Sequence, residues 1–380
     1  MTQQGTPQRI LFLSVSAGAG HRRAADALEA TAARRDPGTE TRHLDAMAYV
    51  TAAFRRLYTE GYLELLGRAP GLWRYLYDLS NRTPPDSPGQ RLRRAMERLS
   101  ARRLLAEIDA WQPDVIVCTH FLPAELLFHQ QRQGRLDCPV WVQVTDFDVH
   151  RLWAVPEMAG YCVASDEAAG RLAALGMDPA RIHVTGIPVM PAFAVPPERA
   201  EAAAALGLDP TRTTVLLMGG GEGLGALDAV TERLLADSPE LQLIALAGRN
   251  ADLHARLQAL TPTHGARLSV QGFTDRVERL MAAADLVITK PGGLTTAECL
   301  AMGRPMIVNA PIPGQEERNA DLLLEAGAAL KAVDALTLAY RVRLLMNDPA
   351  RLARMGEQAR LLGRPRAAHD VLDHICHPKG

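Results

Sequence analysis

Charge of one sign is what this 380-residue chain most clearly lacks. Lys and Arg number 42 against 43 Asp and Glu, a formal net charge of -1, so bulk charge gives no hold on nucleic acid. Cysteine is scarce as well. Cys118, Cys138, Cys162, Cys299 and Cys376 are odd in number, far apart and without a Cys-x-x-Cys, which argues against a disulfide framework and a zinc site and predicts reduced thiols. No apolar run approaches the roughly 18 residues of a membrane span, and the amino terminus has no charged leader followed by an apolar core. The expected location is cytoplasmic, with peripheral membrane contact only. No internal repeat is evident. Aromatic residues make up 5% of the chain, and they are unevenly placed, which becomes informative below.

What is present is an alternation of short apolar strands with helical stretches, the pattern of parallel sheets covered on both faces. Strands are expected at 9–15, 41–44, 115–119, 140–145, 160–164 and 181–185, then at 213–218, 241–247, 267–271, 284–289 and 305–309. Between the two series, Gly186-Ile187-Pro188-Val189-Met190-Pro191 reads as a linker. The length also exceeds what one core usually organises. The fold class is therefore α/β with two Rossmann-like domains, 1–190 and 191–360, and a last helical stretch, 361–380, expected to pack back on the first. Sheets of this kind bind ligands at the carboxyl ends of their strands, and two of them facing each other enclose a cleft.

The densest chemistry lies at 289–319. An apolar strand runs into Pro291-Gly292-Gly293, and a helix follows with Leu294, Thr295 and Thr296 in its first turn, an arrangement that offers backbone amides to an anion. Glu298, one turn on, is placed to accept from two neighbouring hydroxyls such as a ribose diol. Gln315, Glu316 and Asn319 follow the next strand and can reach a sugar. Phosphate, ribose and hexose contacts in that order describe a nucleotide-sugar donor. Gly219-Gly220-Gly221 after an earlier strand has the form of a second phosphate cradle.

The first half carries its own glycine loop, Ser16-Ala17-Gly18-Ala19-Gly20-His21. It lacks the third glycine and downstream acid of a dinucleotide fingerprint, which discounts a nicotinamide cofactor. At the start of a helix a protonated His21 is disfavoured by the dipole, while a neutral one can accept a proton; the plainer alternative is a residue that only caps its helix. Further on, Val144-Thr145-Asp146-Phe147-Asp148-Val149-His150-Arg151-Leu152-Trp153 ends another strand. Its Asp-x-Asp spacing can bracket a divalent ion.

Residues 54–103 hold eleven arginines against five acidic residues. Six of the chain's 18 aromatic residues fall between Phe54 and Tyr77. Phe54, Tyr58, Tyr62, Leu65 and Leu66 share one helical face, and Leu72, Trp73, Leu76, Tyr77 and Leu79 form a second cluster. Basic, aromatic and amphipathic together describe a segment lying in an anionic lipid headgroup layer; packing inside the first domain is the alternative.

The run from Asp285 to Asn319 resembles the donor-site signature of the monogalactosyldiacylglycerol synthase and processive diacylglycerol glucosyltransferase family, and more distantly that of the lipid II N-acetylglucosaminyltransferase. The segment from Thr145 to Trp153 resembles the same family's Thr-Asp-Phe, His, Trp motif. The resemblance implies the GT-B fold and an inverting, metal-independent transfer of a hexose from a UDP-sugar to diacylglycerol on the inner face of the cell membrane, with no cofactor. It implies that Phe273 and its backbone lie against uracil and that Asp146, His150 and Trp153 face the acceptor with Gly18 and Gly20. His21 is the first choice for the base and Asp146 the second, either as base or as the group orienting His21. Ala17 and Ala19 depart from the family's glycine loop, and Met190 stands where relatives often place Arg. Competing expectations are a UDP-sugar epimerase, a catalytically silent UDP-sugar sensor, and a transferase acting on a soluble or polyprenyl-linked acceptor.

Overall fold

The computed structural model describes residues 8–16, 18–56, 69–82, 102–219 and 227–377. Tyr58, Tyr62, Gly220 and Gly221, the side chain of Phe54, and Ala17 lie outside the described residues. Contacts divide the chain into two units. The first comprises Met1–Pro191 with Pro313–Gln315 and Arg366–Gly380, the second Ala192–Ile312 with Glu316–Pro365.

Six parallel strands build the sheet of the first unit: β1 (Arg9–Ser14), β2 (Glu40–Asp45), β3 (Val115–Cys118), β4 (Val140–Gln143), β5 (Gly160–Val163) and β6 (Ile182–Val184), in the order β2-β1-β3-β4-β5-β6. β1 is apolar residue after residue, Ile-Leu-Phe-Leu, because both faces of a parallel sheet are covered. Leu11 and Leu13 enter one core with Ile116, Val142 and Tyr161. Ile10 and Phe12 enter the other with Ala25, Leu28, Val117 and Trp141. The last helix, Ala367–Cys376, completes that second core with Val371, Leu372 and Ile375, and Asp373 pairs with Arg35 at the end of the helix Gly20–Arg35.

The second unit has its own parallel sheet: β7 (Thr214–Met218), β8 (Gln242–Gly248), β9 (Leu268–Gly272), β10 (Leu286–Thr289), β11 (Met306–Asn309) and β12 (Ala329–Ala332), in the order β12-β11-β10-β7-β8-β9. Val215, Leu217, Leu243, Leu286, Ile288 and Ile307 hold its core against Leu234, Leu338 and Val342 of the covering helices. β12 was not among the expected strands.

The strand orders say where ligands belong. In the first sheet the chain leaves β1 for β2 on one side and returns to β3 on the other, so the switch in direction lies between β1 and β3. In the second sheet it lies between β7 and β10. Adjacent loops diverge at such a point and open a crevice at the carboxyl ends of the strands. The loops after β1 and β3 carry Gly18 to His21 and Thr119; those after β7 and β10 carry Gly219 and Pro291 to Gly293.

Candidate active site

His21 is the best-defined ionisable group at the first switch point. It is the second residue of the helix Gly20–Arg35, whose N-cap residue Ala19 supplies no capping side chain. Gly18 adopts φ +104°, a conformation that favours glycine, and this turns the chain from β1 into the helix. The imidazole Nδ1 lies 3.0 Å from the Thr119 carbonyl oxygen and 2.7 Å from the Thr145 hydroxyl. A carbonyl can only accept, so Nδ1 carries the proton and Nε2 keeps its lone pair. The Thr119 hydroxyl donates to the His21 carbonyl at 2.8 Å, tying β3 to the helix start. Burial lowers the His21 pKa from 6.5 to about 4, the Thr119 carbonyl opposing the shift. The ring is therefore neutral at physiological pH.

A tryptophan and a second histidine lie against this imidazole. His120 meets it edge-on with ring centroids 4.6 Å apart, and Trp153 lies at 6.2 Å. Phe121 packs on both His120 and Trp153. His120 accepts through Nδ1 from the Leu122 amide and so caps the helix Phe121–Arg132. Sequence reading missed Thr119 and His120. Their position at the end of β3, beside β1, is the signal that could have found them, but it needs the strand order.

Among the described residues no carboxylate bonds the His21 ring. Thr119 and Thr145 orient it, which corrects the expectation that Asp146 does so. Asp146 itself is partly exposed just beyond β4. Asp148 is engaged by Arg171 at 2.9 Å.

His150 is a correction. Its Nδ1 accepts from the Leu152 amide at 3.1 Å, and its Nε2 donates toward the Tyr77 carbonyl at 3.2 Å with the Ser80 hydroxyl at 3.1 Å. Nε2 thus ties the helix Pro70–Arg82 to the 146–153 segment while Nδ1 caps the turn that follows it, and neither ring nitrogen is left to meet an acceptor. Tyr77 packs on the His150 ring at 4.6 Å and is only 9% exposed. The helix therefore turns Tyr77 inward, which corrects its expected place in a lipid layer, and Trp73 is half-buried. Leu72, Tyr75, Leu76 and Leu79 point outward, Tyr75 being 63% exposed. No helix among the described residues is long and apolar enough to cross a membrane.

At the second switch point, Gly292 is the N-cap residue of the helix Gly293–Ala301 and has no side chain to spend on it. The amides of Gly293, Leu294 and Thr295 begin the helix without a side-chain cap, and the dipole's positive end adds to their field. Thr295 is partly exposed. Thr296 is fully buried, and its hydroxyl has no hydrogen-bond partner among the described residues. Glu298 is 3% exposed, on the second turn. The Asn319 amide donates to the Pro291 carbonyl at 3.0 Å, so that residue braces the glycine turn. Glu316 accepts from the Ile312 amide, and its carboxylate lies 3.5 Å from where a Cβ on Gly292 would stand. Gln315 opens the same helix as Glu316, directly after Gly314 at φ +96°. Gly219 is buried at the end of β7. Phe273, just past β9, is 61% exposed with the Arg249 guanidinium 3.9 Å over its ring.

Comparison with known proteins agrees on family. The model for monogalactosyldiacylglycerol (MGDG) synthase matches residues 21–189, and that for the glycosyltransferase family 28 C-terminal domain matches residues 214–371. The processive diacylglycerol beta-glucosyltransferase of Bacillus pumilus is 30% identical over 279 residues, 73% of this chain and 72% of that protein. The enzyme of the same name from Bacillus subtilis gives the same figures. The chain belongs to the diacylglycerol glycosyltransferases of family 28. Solved structures place this glycosyltransferase in the GT-B fold: Acinetobacter baumannii MurG aligns with TM-score 0.62 at 18% identity over 97% of this chain and 98% of that one. A UDP-N-acetylglucosamine 2-epimerase described as putative, from Listeria monocytogenes, aligns with TM-score 0.63 at 18% identity, over 97% and 95%. Fold likeness alone does not separate the two activities; the sequence relatives do, and they favour the transferase.

Proposed function

We propose that the chain transfers a hexose from a UDP-sugar to the free hydroxyl of diacylglycerol, with inversion, at an anionic membrane surface on the inner face of the cell membrane. The observation that carries the reading is the neutral His21, its Nδ1–H held by a carbonyl and its Nε2 lone pair free to take the lipid hydroxyl proton. The deprotonating oxygen attacks the anomeric carbon from the side opposite the diphosphate, and the bond to UDP breaks. Negative charge grows on the departing diphosphate, and the amides of Gly293, Leu294 and Thr295, with Thr296 and the helix dipole, are preorganised to meet it. The amide of Gly219 adds to this field, Glu298 takes the ribose, Phe273 the uracil, and Gln315 and Glu316 the hexose. Asn319 supports the turn. No metal is required by this scheme, because amides and dipole do the neutralising.

Membrane contact in this reading comes from Leu72, Tyr75, Leu76 and Leu79, an outward apolar row on a basic helix. Met190, half-buried after the first unit's last strand, supplies no cation where relatives often carry one, so donor affinity rests more heavily on the amides. The decisive experiment offers UDP-glucose, UDP-galactose and UDP-glucuronic acid together with diacylglycerol vesicles and identifies products by mass spectrometry. A glycosyl diacylglycerol with release of UDP is expected. Conversion of one UDP-sugar into its epimer without a lipid product would assign the chain to the epimerases instead.

A further inference from the structure

The second unit contains a cavity of about 600 Å³ that the glycosyl-transfer reading does not use. Thr213, Asp285 and Pro305 line it, each one residue before β7, β10 and β11, so it opens at the amino ends of the strands whose carboxyl ends carry the donor turns. β10 alone, four residues long, separates the two ends by about 13 Å. The rest of the wall comes from the helix Pro349–Leu362 and the chain around Arg212.

Four guanidinium groups, Arg199, Arg212, Arg304 and Arg360, face two carboxylates here, Asp285 and Glu357. The balance is more uneven than that count. Asp285 is spent: it takes Arg199 through two hydrogen bonds of 2.7 and 2.5 Å and accepts from the Thr214 amide at 2.8 Å. Glu357 is exposed and pairs with none of the four. Among the described residues Arg212 pairs with Glu240, 3.6 Å away on a carboxylate that is 92% exposed. Arg304 donates to the Ala282 carbonyl at 3.1 Å, and its Nε is buried with no partner among the described residues. Neither Arg304 nor Arg360 has a carboxylate within 4.0 Å among those residues. Burial holds the Arg304 pKa below the usual arginine range; Asp285 opposes this, and Arg199 and Arg360 add to it.

A structural cluster of arginines is ordinarily neutralised by the fold around it, because an unpaired buried charge is costly. This one is also held in place. Gly303 at φ +62° closes the helix Gly293–Ala301, and a Cβ there would stand 3.1 Å from Arg360 Nε and 3.2 Å from its Nη2. The guanidinium thus lies against a residue that has no side chain to displace it.

We propose that this cavity binds a phosphate-bearing anion, with Arg304 and Arg360 as its principal ligands and Arg212 beside them. Forked guanidiniums match phosphate oxygens in pairs, and an anion would relieve the mutual repulsion of Arg199, Arg304 and Arg360. The site is separate from the donor turns and does not depend on the glycosyltransferase reading. A soluble phosphate ester and a phospholipid headgroup offer the same chemistry, so the test has two arms.

In the first arm, inorganic phosphate is titrated calorimetrically into the full chain with UDP saturating. Saturable binding is expected, at least tenfold weaker in Arg304→Met and in Arg360→Gln. Absence of binding, or equal binding by both variants, would overturn the proposal. Arg360 is exposed, so its variant stays informative if Arg304→Met fails to fold. In the second arm, flotation with phosphatidylcholine vesicles is compared with and without phosphatidylglycerol. Loss of the phosphatidylglycerol increment in Arg360→Gln assigns the site to a lipid headgroup; an unchanged increment, with phosphate binding lost, assigns it to a soluble ester.

Discussion

Two helix starts, Gly20–Arg35 and Gly293–Ala301, share one backbone device and put it to opposite uses. Each follows a strand at the switch point of its sheet, each is entered through glycine, and neither N-cap residue, Ala19 or Gly292, supplies a side chain to the first amides. Several other helices do have a cap: Ser165, Asn250, Asp334 and Asp348 accept from the first turns of their helices, each worth about 1 kcal/mol. A missing cap is not sufficient evidence of a site. The helix Ala367–Cys376 also lacks one, but it starts at no strand's carboxyl end and packs into the core. What separates these two starts is their first turn. Gly293, Leu294 and Thr295 bring no charge, which leaves the positive field for an anion. Gly20 and His21 place a base in a comparable field, where burial and dipole both disfavour its protonation.

The largest effect expected from breaking this pair is at His21. His21→Ala should lower kcat by about 10²- to 10⁴-fold, the usual worth of a positioned base, with UDP affinity by calorimetry unchanged. Near-normal turnover would remove His21 from the chemistry. Because its pKa is lowered to about 4, the ring stays neutral until the pH falls that far, so the acid limb of kcat/KM should lie near pH 4. A limb near 6.5 would show a solvated imidazole. The same shift has a stability sign: the unfolded chain binds the proton near pH 6.5 and the folded one only near 4. His21 therefore costs stability as pH falls through that window, and His21→Gln should flatten the urea midpoint there.

At the other start, Gly292→Asp introduces both a cap and a negative charge. The backbone at Gly292 is extended, φ -62° and ψ 144°, so it accepts a side chain, and the new carboxylate, set beside that of Glu316, occupies the amides and repels diphosphate. Donor KM and UDP Kd should rise at least tenfold. Unaltered UDP binding would mean that these amides do not hold the nucleotide.

A smaller contrast lies within one helix. Tyr75 and Tyr77 are two residues apart on Pro70–Arg82, one outward and one packed on His150. Tyr75→Ser should weaken flotation with anionic vesicles by roughly tenfold, as the loss of about 1.5 kcal/mol or more of apolar burial implies, and leave turnover on detergent-solubilised diacylglycerol intact. Tyr77→Ser should do the reverse, lowering stability with less effect on vesicle binding per folded molecule.

That pair also shows what could and could not be read from the sequence. The strands of both sheets were legible wherever apolar residues ran together, as in Ile-Leu-Phe-Leu or Leu-Val-Ile-Thr. β12 was not, because Ala-Leu-Lys-Ala sits at a sheet edge with only its ends buried and carries no such run. His21 and the Pro291 to Gly293 turn were legible because the residues that make each lie together in the chain. His150 was legible as a residue but not as a brace, since its partners Tyr77 and Ser80 are 70 or more residues away. Thr119 and His120 reach His21 only through the pairing of β1 with β3. The arginine cavity draws on residues from Arg199 to Arg360, and no local pattern joins them.

The smallest effect should come from Thr145→Val, which asks how much of His21's orientation a side chain supplies. Its hydroxyl lies 2.7 Å from Nδ1, but the Thr119 carbonyl at 3.0 Å remains and by itself keeps the proton on Nδ1. Removing one of two partners should then cost about 0.5–1.5 kcal/mol, a fall in kcat of roughly two- to tenfold, with donor KM unchanged because the donor turn belongs to the other unit. A loss as large as that of His21→Ala would make Thr145 decisive for the tautomer. No loss at all would leave the backbone carbonyl as the sole positioning group, and a base oriented by main chain alone would tolerate any side chain at position 145 that fits.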